Sequence, residues 1–218
     1  YFFYFFSIGI FVPYWSVYLQ QLGFGPVAIG ELLAISLLTK VVAPYLWGWV
    51  ADCTGQHVRV VRWTAGLAAF FSLFTLASES YWGLAVVISL FTFFWHGCLP
   101  QFEVVTLNHL GVNAPRYGRI RLWGSVGFIA AVMLLGYWIE ENGAADIPLF
   151  VVVALVLIYL STMVLSDAES ALHEATGPSI ISTIRRPEVS ALLLASALLQ
   201  ASHGPYYAFF SIHLTDLG

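Results

Sequence analysis

Charge is what this sequence has least of. Only 9% of its 218 residues are Asp, Glu, Lys or Arg, against roughly 25% in soluble domains. Lysine occurs once, at Lys40, and Lys and Arg together number 8. No basic patch or stripe exists that would hold nucleic acid. Cysteine is nearly absent. Cys53 and Cys98 do not make a disulfide framework, and they are not expected to pair, since one falls in a break and the other in an apolar run. No CxxC or metal-ligand spacing is present. Catalytic patterns are missing too. There is no GxSxG, no HExxH and no Asp-rich pair, and the 6 histidines are scattered, so the residues point neither to an enzyme nor to a metal or organic cofactor.

What is present is apolar. Hydrophobic residues make up 60% of the chain and aromatics 17%, and mean hydropathy is +0.84. This composition implies an all-α polytopic membrane protein with interfacial Trp and Tyr. Seven segments have spanning length, roughly 1–22, 27–50, 60–78, 81–108, 118–140, 147–166 and 188–214. The breaks "GFGP", "ADCTGQHVR", "SES", "GVNAPRYGR" and "EENGAAD" carry turn residues or charge. A longer polar break, 167–187, separates spans six and seven. All seven arginines (Arg59, Arg62, Arg116, Arg119, Arg121, Arg185 and Arg186) lie in or beside the breaks after spans two, four and six. The positive-inside rule makes those three loops cytoplasmic and places the protein in a cell membrane, with a bacterial inner membrane as the expectation. The sequence opens on "YFFYFF" and closes on "HLTDLG", and the expectation is a fragment of a longer protein.

Ionisable residues inside an apolar span are costly and raise the question of function. Glu31 and Lys40 fall in span two, His96 and Glu103 in span four, and Arg121 just inside span five. His96 and Glu103 are seven residues apart, almost two helical turns, and so share a face. Glu103 and Arg121 sit on successive antiparallel spans near their connecting loop and are placed to pair. That pair either meets substrate and proton or only neutralises two charges. Lys40, on a stripe with Ser36, Pro44 and Trp47, needs an anion, from substrate or from protein. His96 is either a proton relay or a hydrogen-bond partner of a neighbouring helix. Glu31 lies near the outer end of its span, about 180° around the helix from Lys40, as expected of an interfacial residue. Pro13, Pro44 and Pro100 stand within spans, where they bend helices.

Three sequence features carry a family resemblance. First, in "GWVADCTGQHVR" the residues Gly48, Asp52, Gly55 and Arg59 have the spacing of the loop that marks the major facilitator superfamily. Cys53, Gln56 and His57 stand where that family usually has basic residues. Second, a shift of 195 residues lays 7–23 on 202–218, matching Ser7/Ser202, Gly9/Gly204, Ser16/Ser211, Leu19/Leu214, Leu22/Leu217 and Gly23/Gly218, as two parallel six-helix halves would. Third, "LPQFEVVTLNHLGVNAPRYGRIRLWGSVGF" resembles spans four and five of lactose-permease-like oligosaccharide/proton symporters. The wording of "LLTKVVAPYLWGWVAD", "YGRIRLWGSVGFI" and "ASHGPYYAFFSIHL" is most similar to the phenylpropionate permease branch.

The resemblance implies a major facilitator fold. Residues 1–166 would form the N-terminal six-helix bundle, 167–187 a cytoplasmic inter-bundle loop, and 188–218 the first helix of the second bundle. Spans one, two, four and five would line a central cavity. It further implies a monomeric secondary transporter that imports a small organic anion such as an aromatic acid together with protons, by alternating access. Oligosaccharide or nucleoside symport is the alternative. Glu103 and Arg121 take the positions that bind substrate in that family, with Lys40 a further candidate. Phe128 stands where a sugar-stacking Trp would fall. Glu103 and His96 are the proton-coupling candidates, and Gly48, Asp52, Gly55 and Arg59 the conformational-switch loop. The implied partners are substrate, protons and the lipid bilayer; a proton gradient takes the place of any cofactor.

Overall fold

A computed structural model of the chain describes residues 1–166 and 184–217. It divides into two compact units, 1–170 and 171–218. All regular elements among the described residues are helical. In the first unit these are α1 (Phe2–Gln21), α2 (Pro26–Thr54), α3 (His57–Ser72), α4 (Tyr81–Leu110), α5 (Tyr117–Asn142) and α6 (Ile147–Thr162). A 3₁₀ turn, Leu73–Leu76, prolongs α3, and another, Gly111–Arg116, joins α4 to α5. The second unit contains α7 (Pro187–Leu217). All seven expected spans are helices. The expected inter-bundle loop lies outside the described residues except for its last four positions. So do the side chains of the repeat partners at 204, 211, 214, 217 and 218.

Local chemistry sets the helix ends. Pro26 occupies the first turn of α2, where its missing N–H costs nothing. Ser80 caps α4 by accepting a hydrogen bond from the Gly83 N–H at 3.2 Å. The helix α2 continues through Asp52, Cys53 and Thr54 before Gly55, at φ 66°, stops it. The expected loop after span two is therefore only Gly55 and Gln56, and Cys53 is an exposed helical residue rather than a loop one.

Length divides the helices. The runs Phe2–Gln21, Pro26–Thr54 and Tyr81–Asn142 (α4 and α5 together) are long and apolar enough to cross a membrane. With 16 residues each, α3 and α6 rise only about 24 Å, short of a hydrocarbon core of about 30 Å. These two pack on each other, α3 behind α4 and α6 behind α1. The most enclosed long helix is α1. It packs on α5 and α6, and against α4 it sets an aromatic core in which Phe11, Trp15, Phe91 and Trp95 are all buried. Edge-to-face and tilted ring pairs add about 0.5–1.5 kcal/mol each beyond area burial.

The two arginine-bearing breaks of this unit lie at the end of the bundle where α6 finishes. Arg62 on α3 donates from Nε and Nη2 to the Thr162 and Leu165 carbonyls at 3.2 and 2.6 Å, closing the end of α6 where carbonyls lack helical partners. His109, at the end of α4, lies 3.4 Å from Ser166 Oγ. At the other end Gln21 Oε1 accepts from the Ala144 N–H at 2.8 Å.

Candidate functional site

Most of α4 is covered by α1, α2 and α3. One stripe is not. Phe93, His96, Pro100 and Glu103 are only half-buried and Leu107 is exposed, whereas Trp95, Gly97, Cys98, Gln101 and Phe102 between them are buried. The face that the sequence assigns to His96 and Glu103 is thus the open face of this helix, and its two ends have different partners.

Toward the C-terminal end of this helix, Glu103 meets α5. Its Oε1 lies 4.0 Å from Arg121 Nε and accepts a hydrogen bond from the Tyr117 hydroxyl at 3.2 Å. The ion pair is too long to be a hydrogen bond. It is a charge contact that can open without breaking a directional bond. The Arg121 guanidinium carbon stands 3.9 Å from the Phe5 ring centroid and 5.6 Å from that of Tyr1, a cation–π arrangement that helps hold the cation in place. Gly124 gives it room. A Cβ added there would stand 2.6 Å from Phe5 Cδ2 and 2.9 Å from Arg121 Nη1. Both charged side chains keep solvent access, 32% for Arg121 and 40% for Glu103, so a small molecule can reach them. Phe128 is seven residues after Arg121 on the same face of α5. It is half-buried, and its ring makes no aromatic contact among the described residues.

Two turns away, His96 meets α2. Its Nδ1 is 3.2 Å from Thr39 Oγ1, which also lies 2.8 Å from Thr92 Oγ1 and donates to the Ser36 carbonyl at 2.8 Å. The imidazole stacks on Trp95 at 5.1 Å. Here the helices touch: a Cβ on Gly97 would stand 2.5 Å from Trp47 Cδ1. Lys40 follows Thr39. Of its expected stripe, Ser36 is buried and Trp47 is packed on α4, while Lys40 is exposed. It has no hydrogen-bond or ion-pair partner among the described residues. Glu31 accepts from the Tyr81 hydroxyl at 2.8 Å, near the start of α2 and far from this cluster in sequence and register.

The structure therefore brings Glu103 and Arg121 together and sets His96 beside α2. Among the described residues no hydrogen bond or ion pair links His96 to either of them. The loop residues form a separate group. Asp52 and Arg59 are exposed. His57, standing where the family has a basic residue, has Nε2 3.9 Å from Asp52 Oδ1 and Nδ1 2.8 Å from Oε1 of the buried Gln101. A recess lined by Tyr18, Gln21, Thr75, Glu79 and Asp146 lies toward the opposite end and contains none of the predicted residues. Sequence reasoning missed Tyr117, Phe5 and Thr39. Tyr117, four residues before Arg121, was within reach of the helical-spacing argument. Thr39 had no signal, because a helical Thr ordinarily bonds only its own preceding turn.

Comparison with known proteins bears on the family and the fold. The MFS_1 like family model matches residues 1–218. The chain is 29% identical to the "Probable 3-phenylpropionic acid transporter" of Escherichia coli (strain K12) over 228 residues, covering 100% of this chain and 58% of that one. It is 33% identical to the "Maltose permease" of Geobacillus stearothermophilus over 143 residues, 65% of this chain and 36% of the relative. The crystal structure of the nucleoside transporter NupG superposes with a TM-score of 0.81 at 19% identity, over 95% of this chain and 55% of that one, which shows a shared fold. The chain thus spans little more than half the length of the first of these relatives.

Proposed function

The chain belongs to the MFS_1 like family of major facilitator transporters, a multi-pass membrane protein, and from that premise we propose that it forms the substrate-anchoring half of a proton-coupled importer of small organic acids. The carboxylate of the substrate meets Arg121, the ring lies against Phe128, and Lys40 supplies a second fixed cation. The observation that carries this reading is the loose Glu103–Arg121 contact at 4.0 Å, open to solvent and flanked by aromatic rings. Arg is the better fork for a carboxylate. When Glu103 takes up a proton, its claim on Arg121 lapses and the guanidinium is free for the incoming anion. Proton and anion then enter together, the halves rock, and both leave on the other side. His96, held by Thr39, lines the path. The α2–α3 junction, with Gly48 and Asp52 on α2, Gly55 in the turn and Arg59 on α3, biases the rocking. The arginine-bearing loops face the cytoplasm, the protein works as a monomer, and a bacterial inner membrane is its site. The relative named for 3-phenylpropionic acid supports the substrate class.

A second reading, uptake of a neutral oligosaccharide, has one observation in its favour, the 33% identity to a maltose permease. Phe128 weighs against it, because a phenyl ring is a poorer sugar platform than an indole.

The test is uptake and binding by the intact transporter. Glu103→Gln is expected to bind 3-phenylpropionate as well as wild type but to lose the rise in accumulation that wild type shows as the outside is acidified. Uptake of maltose with no uptake of any acid would replace the reading with its alternative.

A further inference from the structure

The anchoring pair occupies only the C-terminal end of the open stripe on α4. The other end holds a second polar group that the reading above leaves without a ligand. His96 lies seven residues from Glu103 on α4, and Phe128 seven residues from Arg121 on the antiparallel α5. Because Glu103 and Arg121 are in contact, His96 and Phe128 are carried to one level, about 10 Å farther along the helices. The Thr39–His96 contact at 3.2 Å brings α2 to that level as well, and Lys40 is the next residue.

Two features mark this level as a place for a ligand. Lys40 is the single lysine of the sequence, and it has no partner among the described residues. An ammonium within a span needs a counter-charge or a strong acceptor. The imidazole, in turn, is held on one side only. Thr39 engages Nδ1, Trp95 covers one ring face, and Nε2 has no protein partner among the described residues.

Resting on the organic-acid reading, we propose that Lys40 and His96 form a second subsite for an oxygen acceptor, so that the transported acid carries a hydroxyl or carboxylate at the end opposite the carboxylate held by Arg121. Two helical turns match the length of an acid with one six-membered ring and a two-carbon chain substituted at the far ring position. Phe128, at the same level, faces the ring that joins the two ends.

Binding to the intact transporter tests this with three probes: 3-phenylpropionate, 3-(4-hydroxyphenyl)propionate and 3-(4-carboxyphenyl)propionate. Wild type is expected to bind at least one of the two oxygen-bearing acids tenfold or more tightly than the plain acid, and which one distinguishes a hydroxyl ligand from a second carboxylate. Lys40→Met and His96→Phe are each expected to cut that preference to less than threefold, because each weakens binding of the oxygen-bearing acid more than binding of the plain one. Arg121→Ala is expected to weaken all three. If wild type binds the plain acid as tightly as both substituted ones, or if both subsite variants keep the full preference, the second subsite is overturned and the organic-acid reading stands. If none of the three acids binds, the organic-acid reading fails and the subsite falls with it.

Discussion

Glu103 and His96 sit on the same stripe of α4, seven residues apart, and both are ionisable groups within an apolar run. The structure treats them differently. Glu103 faces a seam where α4 and α5 scarcely pack, so its contact with Arg121 stays loose, solvent-accessible and braced by Phe5 and Tyr117. His96 faces a seam where α2 and α4 interlock, with Trp47 on Gly97, and its polar atom is absorbed into the hydroxyl network of Thr39 and Thr92. Packing density next to the group decides its role. A charge on an open seam keeps room for a ligand and can change partners, whereas a polar group on a tight seam is fixed by its neighbours and offers only its outward side.

This contrast can be broken most forcefully at the open seam. Arg121→Ala leaves Glu103 without a counter-charge and the substrate without its fork, and binding of 3-phenylpropionate by the intact transporter is expected to weaken by about 2–5 kcal/mol. Isothermal titration measures it, and wild-type affinity in this variant would make the pair merely structural. At the tight seam the expected loss is in stability instead. Gly97→Val drives methyl groups into Trp47 and is expected to cost about 1–3 kcal/mol, read as a lowered Tm in detergent; an unchanged Tm would mean the seam is loose. Phe5→Leu sharpens the account of how Arg121 is held. It removes the ring under the guanidinium and is expected to cost about 0.5–2 kcal/mol of acid binding, with little change in Tm. Thr39→Val should have the smallest effect. It removes the hydroxyl that holds His96 and is expected to cost about 0.5–1.5 kcal/mol of stability, while leaving the Glu103 end and its acid binding within twofold of wild type.

The helices and the pair were legible in the sequence for a physical reason. Seven apolar runs and the confinement of arginine to alternate breaks follow from the exclusion of charge from hydrocarbon, which acts on each segment separately. Glu103 and Arg121 could be paired from sequence because they flank one short connection on antiparallel helices, where register is nearly fixed. The stripe of His96 and Glu103 needed only helical periodicity. What joins α4 to α2, by contrast, is a contact between residues 57 positions apart, Thr39 and His96, and no local period encodes it. The same holds for Arg62, which reads as a loop-side charge in the sequence and in the fold closes the end of α6 through Thr162 and Leu165. Composition and periodicity alone determined that the chain is a helical membrane protein with ionisable groups on one face of its fourth span. Only the tertiary structure decided which of those groups stay open and which are enclosed, because that depends on how closely neighbouring helices approach, and the approach is set by side chains on other segments, such as Trp47 against Gly97.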